Sequence, residues 1–227
     1  MHQQPFAWFG YHISSKQQKI LVSSPNYRKC YYLNCTYSEN DVQSVGRLDI
    51  ISIGKSMSNV SLTGTSQYES AGFSADIGYP YDNRTWVLAL GIPGKDVQGS
   101  LNGVKEDIYR GGSVVLMNMT YHSFPIVTEL DNNRRYGRFG YNVMLADLDS
   151  DGYDDLVISE PNGNKLPFKL EDIKDGRLYV FYGGSHMLKG NATFTTYCKV
   201  EMPCPSKMAN FTSQTHNKPS HNGFKLQ

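Results

Sequence analysis

The stretch Asp147 to Pro161, DLDSDGYDDLVISEP, concentrates five aspartates, Asp147, Asp149, Asp151, Asp154 and Asp155, immediately before an apolar run. The whole chain of 227 residues carries a net charge of only +1. Carboxylates this close repel one another unless a cation lies among them. With Asp147 as position 1, Asp149 is 3, Asp151 is 5, Gly152 is 6, Tyr153 is 7 and Asp155 is 9. Alternating donors let one turn of loop wrap an ion. Glycine at 6 permits the sharp turn, and position 7 offers its backbone carbonyl whatever its side chain. These are hard oxygen donors, suited to Ca²⁺ rather than Zn²⁺. The predicted ligands are therefore Asp147, Asp149, Asp151, Tyr153 and Asp155, with Asp154 facing solvent. An EF-hand is excluded, because position 12 is Ile158 and the apolar strand LVISEP follows at once.

The loop sits inside a larger repeat. One unit runs from Trp8 to Pro25 (WFGYHISSKQQKILVSSP), followed by GRLDIISIG from Gly46. The next runs from Gly72 to Pro93, then GGSVVLMNMT from Gly111, and the third from Arg138 to Pro161, then GRLYVFYGG from Gly176. Each opens on a Phe beside a Gly and has an apolar strand ending in Pro. A variable polar loop follows, then a Gly before a second strand. Pro25, Pro93 and Pro161 recur at about 68 residues. The strands read as nearly continuous apolar runs, so both of their faces must be covered. A small antiparallel sheet of this kind has to stack on its neighbours, and radial stacking gives a β-propeller.

The fold class is thus all-β, a propeller fragment of about three blades. The units divide as residues 1–70, 71–135 and 136–197, the last carrying the metal loop. A Cys-bearing insertion follows at 198–222, and the start of a further blade at 223–227. The segments SADIGYPYDNRTW and HISSKQQK, which match the metal loop in the other two units, lack its spacing.

Composition narrows the setting. Near-neutral charge gives no electrostatic case for nucleic acid, and no apolar run is long enough to cross a membrane. Six Asn-x-Ser/Thr sequons, at Asn34, Asn59, Asn83, Asn118, Asn191 and Asn210, predict surface glycosylation of a secreted, extracellular protein. The four cysteines, Cys30 with Cys35 and Cys198 with Cys204, form two local pairs and read as disulfides of an oxidising compartment, although sequence allows three pairings. These secreted features stand without a signal peptide at the start, which predicts a fragment of a longer protein.

Other chemistry is thin. His2, His12, His122, His186, His216 and His221 show no metal-ligand spacing and read as surface residues. The IGKS at Ile53 fails as a phosphate loop, since the required upstream glycine is Asp49. Ser185-His186 has no nucleophile elbow around it. Arg134-Arg135 reads as a solvated loop rather than a processing site, and Trp8 and Trp86 read as core.

The Phe-Gly openings, the D-x-D-x-D-G-x-x-D loop and the Pro-terminated strands resemble the FG-GAP repeats of integrin α-chain propellers. The family of glycosylphosphatidylinositol-specific phospholipases D is a closer resemblance, through FAWFGYHI, YGRFGYNVMLADLDSDGYDDLVISEP, DGRLYVFYGG and the insertion YCKVEMPCP. That resemblance implies a parent enzyme that hydrolyses the inositol phosphodiester of GPI anchors and releases anchored proteins. It implies a separate N-terminal Zn²⁺-dependent catalytic domain, with this segment as the non-catalytic Ca²⁺-binding propeller. No catalytic residue carries over. The implied partners are the GPI-anchored or lipid-glycan substrate, the remaining blades and that catalytic domain. The alternative is an integrin-α-like adhesion or extracellular binding propeller without activity, against which one metal loop in three units counts.

Overall fold

The computed structural model describes residues 7–16, 18–29, 43–54, 58–82, 84–101, 104–120, 124–132, 134–162, 176–184 and 197–199. Among them are strands and no helix. Three four-stranded antiparallel sheets follow one another along the chain. The first holds β1 (Ile13–Lys16), β2 (Lys19–Ser24), β3 (Arg47–Ser52) and β4 (Ser58–Thr63), in that order. The second holds β5 (Ala75–Gly78), β6 (Val87–Ile92), β9 (Ser113–Asn118) and β10 (Ile126–Asp131). Between β6 and β9 the chain makes a separate hairpin of β7 (Val97–Leu101) and β8 (Val104–Ile108). The third sheet holds β11 (Asn142–Ala146), β12 (Asp155–Glu160), β13 (Arg177–Phe181) and β14 (Tyr197–Lys199). Each sheet is a simple meander, as in propeller blades, and the three do not close a ring.

The apolar runs are the second strands, and their burial explains their composition. In β6 every residue of VLALGI is buried. Alternate side chains of a strand point to opposite faces. Val87 and Ala89 pack with Val114, Leu116, Phe139, Leu145, Leu156 and Ile158 of the second and third sheets. Leu88 and Leu90 face the other way, toward Leu21, Leu48 and Ile50 of the first. One strand thus serves two cores, and a one-face amphipathic pattern would not suffice. Full burial of each such side chain stabilises the fold by about 1.5–3 kcal/mol. Pro25, Pro93 and Pro161 come directly after β2, β6 and β12, where a residue without an N–H ends the ladder.

In the first two units the Gly ahead of the second apolar strand belongs to the joint between sheets. Gly46 and Gly112 have φ of +80° and +84°, and a Cβ there would lie 2.2 Å from backbone atoms of Ala71 and Phe139. Gly112 forms a parallel bridge to Phe139, the Phe of the next unit's Phe-Gly opening. Both landmarks of the repeat therefore meet at one inter-sheet contact.

Two expectations are corrected, and the variable polar loop after Pro93 is found to contain the β7–β8 hairpin. Its signal was the alternation around Asn102-Gly103, a favoured hairpin turn pair. Arg134 is no solvated loop residue. It is 2% exposed and its Nε lies 3.2 Å from Oε1 of fully buried Glu160, while Tyr179 donates its hydroxyl to Glu160 Oε2 at 2.5 Å. Trp8 is not core either, being 56% exposed, whereas Trp86 packs against the core between the first and second sheets.

Candidate metal centre

The aspartate loop is the turn of the β11–β12 hairpin. The register pairs Ala146 with Asp155, so residues 147–154 must reverse the chain outside the ladder. Two left-handed residues, Ser150 at φ +63° and Gly152 at +91°, make that reversal tight. Space is not what requires glycine at 152, since a Cβ would meet nothing within 4 Å. The backbone conformation alone favours it.

Asp147, Asp149 and Asp151 each bring a carboxylate oxygen within 4.8 Å of the others. Oxygens on opposite sides of one Ca²⁺ stand at most about 5 Å apart, given metal–oxygen distances of about 2.3–2.6 Å, so the cluster is of the right size. Loop amides pre-position two of these carboxylates. Asp147 accepts from Asp151 N at 3.2 Å and Gly152 N at 3.1 Å, and Asp151 accepts from Tyr153 N at 2.9 Å. Asp149 Oδ1 is different: it is buried and has no hydrogen-bond partner. An unpaired buried carboxylate oxygen is costly, and a cation is the group that would satisfy it. The donor set fits Ca²⁺.

Asp155 lies outside the cluster of three. It is fully buried at the start of β12, where Oδ2 accepts from Leu148 N at 3.0 Å and Oδ1 from Gly183 N at 2.8 Å. Burial raises its pKa, and the charges of Asp149 and Asp151 add to the rise, against the two amide donors. Asp155 therefore ties the loop to the chain beyond β13 and senses the charge of the cluster. Tyr153 is partly buried beside Gly183, whose Cβ would fall 2.7 Å from that of Tyr153.

Asp154 is corrected. It does not face solvent: its Oδ2 accepts from Tyr79 N of the second sheet's loop at 2.7 Å and pairs with Lys16 Nζ of the first sheet at 3.1 Å. The contact is so close that a Cβ on Gly78 would meet Asp154 Oδ2 at 2.4 Å. Nothing in the local sequence marks this residue as an inter-sheet link, because its partners lie far back in the chain. Tyr182 is a second neighbour the sequence did not flag. Its pKa is raised by burial and by the charges of Asp155 and Asp149.

The remaining predicted sites are distributed as follows. Asn59 is exposed on β4, and Asn118 ends β9 with its side chain accepting from Thr120 N at 2.8 Å. Asn34, Asn83, Asn191 and Asn210 lie outside the described residues, as do Cys30, Cys35 and Cys204. Cys198 lies on the backbone of β14, with its side chain outside them. His12 is partly buried, with Nε2 3.0 Å from the Ala75 carbonyl, and the other five histidines are outside the described residues. No helix of the described residues is long and apolar enough to cross a membrane.

Comparison with known proteins agrees with the loop and the sheets. The FG-GAP repeat matches residues 139–181, which hold β11, the aspartate loop, β12 and β13. Phosphatidylinositol-glycan-specific phospholipase D of Bos taurus is 29% identical over 92% of the chain, and the Homo sapiens protein of that name 26% over 92%. Human integrin alpha-8 is 27% identical over 56% of the chain and 12% of its own length. The chain spans about a quarter of the phospholipases it matches, 26% in both cases. With an FG-GAP repeat around its aspartate loop, the chain is similar along nearly all of its length to one segment of the phosphatidylinositol-glycan-specific phospholipases D.

Proposed function

We propose that this chain is the non-catalytic, Ca²⁺-stabilised propeller segment of a secreted GPI-specific phospholipase D. The parent would hydrolyse the inositol phosphodiester of GPI anchors and release anchored proteins. The observation that carries the reading is the reach of the similarity, 92% of the chain for the phospholipases against 56% for the integrin. The hydrolytic step, and the Zn²⁺ it needs, would belong to a domain outside these 227 residues.

Within the segment, Asp147, Asp149 and Asp151 would hold Ca²⁺, with Asp155 and the Tyr153 carbonyl completing the shell. The ion would supply the positive charge that three converging carboxylates lack. The role is structural, since the loop joins β11 to β12 and reaches the other two sheets through Asp154. Extracellular Ca²⁺ is near millimolar, so an affinity on the order of 10⁻⁴ to 10⁻³ M would suffice. The sequons and cysteines support secretion, glycosylation and disulfide bonding.

The test is release of a GPI-anchored reporter from cells by the full-length protein, expressed by secretion, with and without zinc chelation. Chelator-sensitive release is the expected result. A folded, glycosylated and zinc-loaded protein that releases nothing would shift the reading to an integrin-like adhesion propeller.

A further inference from the structure

At the end of the β11–β12 hairpin away from the aspartate loop, residues of the three units line an open cavity of about 220 Å³. Its lining includes the aromatic side chains of Trp8 and Tyr68, with the rings of Phe73 and Tyr141 tilted at 45° and 4.6 Å between centroids. Tyr11 extends the aromatic cluster, its ring tilted 58° to that of Phe73 at 4.7 Å. Two arginines, Arg110 and Arg138, also line it, and both are exposed. Among the described residues, neither guanidinium has an acidic partner within ion-pair distance.

The backbone holds these side chains in a turn that the repeat requires. Of the ten described non-glycine residues with positive φ, six line this cavity: Trp8, Ser44, Tyr68, Ser70, Arg110 and Arg138. A side chain in the left-handed region costs energy that glycine avoids. Trp8, Ser70 and Arg138 occupy the same position in their units, two residues before Gly10, Gly72 and Gly140 at φ +82°, +75° and +84°. The fold needs the turn there. It does not need an indole in one unit and a guanidinium in another.

We infer that this cavity is a binding site for an anionic sugar, one pyranose ring bearing a phosphate or sulfate ester. The flat aromatic faces match the apolar C–H face of a sugar ring. The guanidinia match the ester oxygens, which they can meet with paired, charge-assisted hydrogen bonds. The volume of about 220 Å³ is enough to seat a single ring and its substituent. The site lies apart from the metal loop and does not depend on the phospholipase reading, because binding needs no hydrolysis.

The experiment is isothermal titration of the full-length protein, expressed by secretion, with mannose 6-phosphate, mannose and inorganic phosphate in separate arms. Mannose 6-phosphate should bind more tightly than either part alone. Arg110→Ala with Arg138→Ala should weaken it by about tenfold per guanidinium, and Trp8→Ala should also weaken it. Arg84→Ala, on an exposed loop elsewhere, should leave it unchanged. If the double alanine variant loses its native circular dichroism, Arg110→Lys with Arg138→Lys keeps the charge without the fork and should give intermediate weakening. No binding of mannose 6-phosphate to folded protein at millimolar concentration overturns the proposal. So does inorganic phosphate binding as tightly as the sugar phosphate, or equal affinity in the arginine variants.

Discussion

Lys16 Nζ stands 3.1 Å from Asp154 Oδ2, joining the first sheet to the third across 138 positions of sequence. The same carboxylate oxygen accepts from Tyr79 N of the second sheet's loop at 2.7 Å. One side chain thus touches all three units. Asp154→Ala should lower stability by about 1–3 kcal/mol, because it leaves a backbone donor and an ammonium unmatched. Lys16→Ala should cost less, on the order of 0–1 kcal/mol, since the lysine is partly exposed. Urea unfolding of both variants and their double mutant would read the coupling; equal losses would contradict this division.

Calcium should raise the melting temperature of the wild type at neutral pH. Asp151→Ala should remove most of that rise, since it takes away one of the three converging carboxylates. Scanning calorimetry with and without chelator measures both. The same calcium-dependent shift in variant and wild type would rule out the loop as the binding site.

Glu160 is fully buried between Arg134 and the hydroxyl of Tyr179, which in turn accepts from Asn132 Nδ2 at 2.9 Å. Removing one member of a buried pair leaves the other charge uncompensated. Glu160→Ala should therefore destabilise by about 3–5 kcal/mol, read from denaturant midpoints. A loss below 1 kcal/mol would mean that water reaches the site.

Glu129 gives a pH test. Burial pushes its carboxyl up, but the Lys95 ammonium and the Ser113 hydroxyl outweigh burial and leave the pKa below its ordinary value. A depressed carboxyl stabilises the fold above its unfolded pKa and loses that contribution as pH falls through the folded value. Glu129→Gln should thus be less stable than wild type at pH 7, with the gap closing under acid. Thermal unfolding at both pH values checks this, and a gap that persists unchanged in acid would contradict the assignment.

Much of this architecture was legible because the repeat fixes several things at once. The run VLALGI had to be a strand covered on both faces, and Pro93 had to end it. The aspartate spacing marked Asp147, Asp149 and Asp151 without any tertiary information. What was not legible depends on distant partners. Asp154 looks like one more acid in the loop until Lys16 and the Tyr79 amide are beside it. Arg134 looks exposed in a run of polar residues until Glu160 meets it in the interior. Trp8 sits at a landmark position whose counterparts are Ser70 and Arg138, so its repeat position said nothing of its burial. The β7–β8 hairpin carried its own local signal, the alternation about Asn102-Gly103.

The two-sided burial of β6 has a consequence for synthesis. Leu21, Leu48 and Ile50 are complete in the chain by residue 50, but the side chains that cover them, Leu88 and Leu90, leave the ribosome some forty residues later. Until then the nascent first sheet presents an uncovered apolar face to whatever surrounds it. The second sheet waits in the same way for Leu145, Leu156 and Ile158. Each stage of elongation completes the previous interior and opens a new one, and exposed apolar surface of this kind is where a nascent chain is prone to aggregate.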